Sequence, residues 1–361
     1  MHIAIIGLAN SGKTTAFNAL TGSAAETTLY TSGQLEPNQA VVKVPDERLE
    51  VLTQLFQPRK TVYADVQYVD VAGISSEKKG SGLPPALLNY IGKADALLHV
   101  VRAFEDADVP HPEESVDMAR DVAAIDLELA FSDLAIIERR LTRLQSEIGK
   151  MSAREREARI AERDLLVRLQ EALEAETPIR ALELTPEEEL MIRGYQFLTA
   201  KPMLLVLNID EAHIGDPPAL PGGYNHPRSA VVPFCGKIEA ELAQLSSDEA
   251  QAFMEDLGIE EPARNRVIHL SYELLGLISF LTVGPDEVRA WPIRKNIPAV
   301  EAAGAVHTDI QRGFIRVEVV SYDDLTAAGG MNEAKKAGVV RVEGKQYIVQ
   351  DGDICHFLFN I

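Results

Sequence analysis

The chain has 361 residues, 46% hydrophobic and 25% charged, which is room for two or three globular domains. Its formal net charge of −20 argues against coating nucleic acid or anionic membrane with its whole surface, so neither a DNA partner nor a membrane is expected. Two cysteines, Cys235 and Cys355, give neither a disulfide framework nor a zinc spacing, and no run approaches the ~20 apolar residues of a membrane span, so a reducing cytoplasm is the expected compartment.

In chain order, residues 2–6 read as a buried parallel strand. Gly7-x4-Gly12-Lys13-Thr14 follows, the phosphate-binding loop pattern. A tight turn after a strand aims several main-chain N–H groups at one point. Gly7 and Gly12 permit the backbone angles and close approach that a phosphate needs. The helix that begins near Thr15 puts its positive end there too. Lys13 is expected to reach the β- and γ-phosphates, and the Thr14 hydroxyl to ligate Mg²⁺.

Residues 22–39 read as a polar loop, where a nucleotide switch carries the segment that covers the γ-phosphate. A plain surface loop is the alternative. Residues 40–44 read as a strand, 46–56 have helical spacing, and 62–69 read as a second strand ending in Asp70-Val-Ala-Gly73. With a phosphate loop before it and the glycine-rich Lys79–Gly82 after it, this Asp-x-x-Gly reads as the second switch. Asp70 would hold Mg²⁺ through water, and the Gly73 N–H would sense the γ-phosphate. Ile74 stands where many GTPases carry a glutamine that orients the attacking water, which an apolar side chain cannot do.

Residues 95–102 read as another buried strand. From Ser115 the apolar period turns helical. Leu127, Leu134, Leu141 and Ile148 recur every seven residues, with Ala130, Ile137 and Leu144 between them, an a/d seam. Ala158, Leu165, Leu166, Leu169 and Leu173 continue it on a second arm, and Gly149 and Ser152 lie at the turn. A short antiparallel coiled coil inserted in the nucleotide domain is expected; a helix pair folded flat on the core is the alternative. Residues 138–168 hold nine Lys or Arg against six Asp or Glu, a local +3 in a chain of −20. A basic tip with Arg154, Arg156 and Arg159 would touch RNA phosphate while the acidic body is repelled. Mixed charges that only solvate the helices are the alternative.

Residues 201–211 return to a buried strand. GTPases usually end this strand in Asn-Lys-x-Asp, whose carboxylate reads the guanine N1 and N2 hydrogens. Here the segment is Asn208-Ile209-Asp210-Glu211. The lysine is absent, the acid is glutamate, and Asp210 lies one position early, so ATP is expected to bind in preference to GTP. Residues 230–237 form the next strand and loop, where base contacts commonly lie. The Pro/Gly-rich piece at 215–227 is a surface loop. After residue 275, short β runs separated by polar turns read as a small mixed α/β module.

The chain resembles the YchF (Obg-like) ATPases almost end to end. The matching stretches are Gly7–Thr15, Leu35–Asn38, Val69–Ile74, His99–Asp106, Glu138–Leu141, Asn208-x-x-Glu211, Tyr272–Gly276, Glu287–Trp291, His307–Asp309, Arg312–Arg316 and Val349–Asp353. The resemblance implies an α/β fold: a P-loop NTPase domain with a helical coiled-coil insertion, followed by a small β-grasp (TGS) domain. The implied boundaries are 1–114 and 199–275 for the two parts of the NTPase domain, 115–198 for the insertion and 276–361 for the TGS domain. It also implies slow hydrolysis of ATP to ADP with Mg²⁺, association with the ribosome through the large subunit or ribosomal RNA, and a monomer.

Residue by residue, Asn10, Ser11, Gly12, Lys13, Thr14 and Thr15 match the phosphate-binding segment, and Asn208, Ile209 and Glu211 the base site. Thr14 and Asp70 match the Mg²⁺ site; Lys13, Thr14, Asp70 and Gly73 make up the catalytic set. Asn10 would help hold a potassium ion near the phosphates, or only brace the loop. The family's first switch usually reads Cys-Thr-Ile-x-Pro-Asn. Here Gln34 replaces the threonine that would close on Mg²⁺, and Ala9 and Ser11 replace the usual proline and valine. The rival readings are a GTPase of translation and an ATP-sensing module that scarcely hydrolyses.

Overall fold

The computed structural model describes residues 1–23, 37–71, 85–149 and 152–360. Most of both switch segments, including Gln34, Gly73 and Ile74, lies outside the described residues. The chain divides into two compact units, Met1–Ala40 with Gln67–Val267, and Val41–Val66 with Ile268–Ile361.

In chain order the elements are β1 (His2–Ile6), α1 (Lys13–Thr21), β2 (Asn38–Lys43), α2 (Glu47–Phe56), β3 (Lys60–Val62), β4 (Asp65–Asp70), α3 (Pro85–Lys93) and β5 (Ala96–Ala103). Then come α4 (Met118–Ile148), α5 (Ala153–Glu174), α6 (Pro186–Ile192), β6 (Met203–Ile209), β7 (Ser229–Phe234), α7 (Gly236–Leu242), α8 (Ser247–Leu257) and α9 (Ala263–Leu274). The last are β8 (Leu277–Thr282), β9 (Glu287–Arg294), α10 (Ala299–Val306), α11 (Thr308–Arg312), β10 (Phe314–Ser321), α12 (Tyr322–Ala328), α13 (Met331–Ala337), β11 (Arg341–Glu343) and β12 (Asp353–Phe359). No described helix is long and apolar enough to cross a membrane.

The first sheet has the order β2-β4-β1-β5-β6-β7. β1 pairs in parallel with both β4 and β5, and β5, β6 and β7 continue in parallel. β6 is buried throughout, and β5 at all but its last residue. Parallel strands covered on both faces need continuous apolar runs, which is why both read so plainly in the sequence. β1 has neighbours from later in the chain on either side, so the strand order reverses there. The loop leaving β1 opens into the crevice that this reversal creates.

α4 and α5 form the expected helical hairpin. Ile137, Leu144, Leu165, Leu166, Leu169 and Leu173 are buried between them, with Leu134, Leu141 and Ile148 packed alongside. The seam does not run the full length of α4. Leu127, expected in it, is 45% exposed. At that end the buried face is Val122, Ile125 and Leu129, which join the core of the parallel sheet. The helix thus changes partner along its length, and a strict heptad fails where it does.

Two polar clamps fix the hairpin. Glu162 on α5 accepts from Arg140 Nε at 2.7 Å, from Arg159 Nη1 at 2.7 Å and from the Tyr195 hydroxyl. Burial raises its pKa, but the hydrogen bonds from Arg140, Tyr195 and Arg159 outweigh that and bring it down to about 2. Asp133, fully buried on α4, accepts from Leu198 N and Thr199 N at 2.8 Å and from Thr199 Oγ1 at 2.6 Å.

The second unit is a β-grasp. Its sheet has the order β11-β10-β12-β8-β9-β3. The β8–β9 hairpin is antiparallel, β12 lies parallel to β8 at the centre, and β10 runs antiparallel to both β12 and β11. α10 covers one face, with Ala299, Ala302 and Ala303 in a core that includes Ile278, Phe280 and Ile293.

One expectation is corrected here. The run 62–69, read as one strand, is split: β3 pairs in parallel with β9, while β4 pairs with β1. The second compact unit gathers Val41–Val66 with Ile268–Ile361, so it takes in an early segment that the implied boundaries give to the nucleotide domain. Specific bonds hold that segment. Arg48 on α2 bonds Asp46 and reaches Asp351 Oδ2 at 2.7 Å, while Asp351 Oδ1 accepts from Ser279 N at 2.8 Å. His269 Nε2 lies 2.7 Å from the Pro45 carbonyl oxygen.

Replacing Asp133 with alanine would strand two buried main-chain N–H groups and one hydroxyl. Asp133→Ala is expected to cost about 3 kcal/mol in urea unfolding. Phe131→Ala, at an exposed site on the same helix, is expected to cost under about 0.5 kcal/mol.

Candidate nucleotide site

The loop leaving β1 is set by close approaches. Gly7 has φ +150°, and a Cβ there would lie 2.5 Å from the Val100 carbonyl oxygen. Gly12 has φ +92°, and a Cβ there would strike the Asn208 side-chain amide. Between them Asn10 takes a left-handed φ of 60°. α1 starts at Lys13 with no side chain capping its first turn. Its leading N–H groups therefore lack the usual cap and are positioned for an anion. The Ser11 hydroxyl is buried in the same loop without a partner among the described residues.

Asn208, buried near the end of β6, ties this loop to the one after β7. Its Nδ2 donates to the Ser11 carbonyl oxygen at 3.0 Å, and its Oδ1 accepts from Gly236 N at 3.1 Å.

Lys13 is buried, and its Nζ donates to the Leu8 carbonyl oxygen at 2.6 Å. Burial lowers its pKa to about 8, against the opposing pull of the Asp70 charge. Asp70 ends β4, in register with Ile5 of β1. Its Oδ2 accepts from Thr14 Oγ1 at 2.9 Å. Burial raises the Asp70 pKa, opposed by the Thr14 hydrogen bond and the Lys13 charge. A buried carboxylate whose charge is under-compensated, beside a hydroxyl, suits a small hard cation. Mg²⁺ fits this pair, since it takes one or two protein oxygens and fills its other positions with phosphate and water.

Asn10 donates from Nδ2 to the Pro110 carbonyl oxygen at 2.9 Å. The loop that carries Pro110 is held by buried Arg102, which donates to Phe104 O at 3.1 Å and Val109 O at 2.8 Å and stacks on the Phe104 ring. The next residue, His111, has Nε2 2.9 Å from Asp121 Oδ2. His99, opposite Ile6 on β5, is buried with neither ring nitrogen partnered among the described residues. Burial, with the Lys13 and Arg180 charges, pushes its pKa down to about 3, so it is a neutral support for the strand end.

At the base end the residues divide. The Ile209 side chain is buried in the core of the sheet, so only its main chain can face a nucleotide. Asp210 caps the short turn after β6: its Oδ1 accepts from His213 N at 3.2 Å and lies 2.6 Å from His213 Nδ1. Glu211 pairs with Lys237 at 2.5 Å.

The structure thus brings together Asn10 with Pro110, Ser11 and Gly12 with Asn208, and Thr14 with Asp70. Thr15 joins them: a Cβ on Gly236 would lie 3.3 Å from its Cγ2. Sequence reasoning missed Arg102, Pro110 and Lys237. The Cys235–Lys237 loop was legible as a base-contact region, but nothing local marks which of its side chains meets Glu211.

A family model described as a 50S ribosome-binding GTPase matches residues 2–131, and YchF-GTPase_C, described as a protein of unknown function, matches residues 277–360. The chain is 42% identical to the Ribosome-binding ATPase YchF of Bacillus subtilis (strain 168), over 99% of this chain and 98% of the relative. It is 35% identical to Obg-like ATPase 1 of Rattus norvegicus, over 100% and 92%. The structure of the Schizosaccharomyces pombe YchF GTPase superposes with a TM-score of 0.87 at 31% identity, covering 99% of this chain and 97% of that one. With a phosphate loop, a parallel nucleotide sheet and a β-grasp module matched along nearly its whole length, the chain belongs to the YchF (Obg-like) family of P-loop NTPases.

Proposed function

We propose that this protein is a slow, Mg²⁺-dependent ATPase that acts as a nucleotide-gated factor on the ribosome. The observation that carries the reading is the convergence of the buried Lys13 ammonium and the Thr14–Asp70 oxygen pair at the adjoining ends of β1 and β4, beside an uncapped helix start. Lys13 and the loop N–H groups stabilise charge on the transferring phosphoryl group. Thr14 and Asp70 would hold Mg²⁺, which would supply charge neutralisation on the phosphate oxygens. Turnover is slow because Ile74 offers no hydrogen bond to the attacking water. The names of the full-length relatives support ATP as substrate and the ribosome as partner.

The finer parts of the reading are contact with the large subunit or its RNA, a monomeric cytoplasmic state, and a TGS identity for the β-grasp module. Contact with RNA is assigned to the helical hairpin. Arg159 is committed to Glu162, and Arg140, Arg163 and Arg168 also sit in ion pairs. Arg139 and Arg143, exposed one turn apart on α4, are the better-placed phosphate contacts.

Four results are expected. Lys13→Ala should weaken ATP binding on the order of 100-fold by titration. In the wild type, affinity should fall as pH rises through about 8, because the anionic phosphates bind the protonated amine and burial has brought its pKa there. A flat profile above that pH would remove Lys13 from the phosphate site. The bond to Pro110 engages Nδ2 of Asn10, while a potassium ion would take its Oδ1, so the two roles are compatible; turnover higher in potassium than in sodium would assign the ion, and equal turnover would leave Asn10 only bracing the loop. Arg139→Glu with Arg143→Glu should lower ribosome co-sedimentation and leave ATP binding unchanged. The log–log salt slope should flatten by about one unit for each phosphate that the variant no longer neutralises. Unchanged retention would dismiss the hairpin as the RNA-binding element.

A further inference from the structure

Both carboxylates that could read a guanine are engaged. Asp210 accepts from the His213 main chain and faces the His213 ring. Glu211, at the position that matches the acid of Asn-Lys-x-Asp, is met by Lys237. Lys237 directly follows Gly236, whose N–H is fixed by Asn208, and Asn208 in turn holds the phosphate loop. Asn208 thus ties the main chain just before Lys237 to the phosphate loop, and the Lys237 ammonium meets Glu211 at the position that the motif gives to the base.

The pair is exposed, at 71% for Lys237 and 48% for Glu211. Exposed pairs contribute little to stability, so its consequence lies in what it presents to a ligand. A carboxylate only accepts hydrogen bonds, and an ammonium only donates them. Guanine carries an N1–H and a 2-amino group on its Watson–Crick edge. Adenine carries an unprotonated N1 there.

We propose that Lys237 is a specificity-determining residue that neutralises Glu211 and turns the base rim from acceptor to donor, selecting purines with a free N1 lone pair over those with N1–H. The proposal rests on the ATPase reading above and names the group that sets its base preference. A site whose polar groups mismatch a ligand's hydrogen-bonding edge rejects it strongly.

The test is titration of the full chain with the Mg²⁺ complexes of ATP, GTP, ITP and purine riboside triphosphate. Purine riboside triphosphate lacks the 6-amino group but keeps the N1 lone pair, while ITP has N1–H without the 2-amino group. The wild type should bind ATP and purine riboside triphosphate at least about tenfold tighter than GTP and ITP. Lys237→Ala, which frees Glu211 as an acceptor, should shrink that ratio at least about tenfold. Lys237→Arg should preserve it. Thermal melting of the variants should match the wild type, as expected at an exposed pair. If the wild type prefers ATP but Lys237→Ala keeps the same ratio, or if purine riboside triphosphate binds as weakly as ITP, the inference is overturned while the ATPase reading stands. If the wild type prefers GTP, both fall.

Discussion

The nucleotide site depends on one carboxamide. Asn208 uses its two ends on two different loops, donating to Ser11 and accepting from Gly236. Each bond is ordinary in strength, but their geometry is shared, so neither loop can move without breaking one. The arrangement demands a glycine at position 12, where the amide presses against the backbone, and leaves little room at 236. Burial makes the bracket costly to break, because a carboxamide removed from water must keep its partners. The β1, β6 and β7 ends are thus locked in mutual position before any ligand arrives, which is the preorganisation that phosphate chemistry needs.

Around that bracket the charges are arranged at a cost. Lys13 and Asp70 are each buried and each pulled toward its neutral form by desolvation. Their mutual attraction offsets part of this. A phosphate against Lys13 and a cation against the Thr14–Asp70 pair would offset more, so binding relieves a desolvation cost that folding has already imposed. Neutral His99 and the uncharged contacts of Asn10 complete the floor without adding further charge.

Much of this was legible in the sequence, for reasons of locality. The phosphate loop is a contiguous motif between a strand and a helix, so its spacing carries its geometry. β5 and β6 are buried on both faces and announce themselves as apolar runs. The hairpin seam was readable from Leu134 onward, where both sides of the contact share one periodicity. Leu127 misled because a heptad records spacing but not which neighbour the face meets. The split between β3 and β4 was hidden because residues 60–70 alternate smoothly and only Tyr63 and Ala64 separate strands that serve different sheets. Glu211 and Lys237 were each visible, but their meeting is a product of β6 and β7 lying side by side.

The addition of β3 to the edge of β9 bears on how the molecule is made. Residues 41–66 emerge early in synthesis, yet the strands and loops that hold them, β9 and the Asp351 turn among them, come near the end of the sequence. During translation β3 has no strand to pair with until β9 is made. Such long-range closure is slow, because the entropy of the intervening chain must be overcome before any contact rewards it. The early segment therefore spends that interval with Leu49 and Leu52 of α2 uncovered, and these two fully buried leucines are the part of the nascent chain most in need of protection from its neighbours.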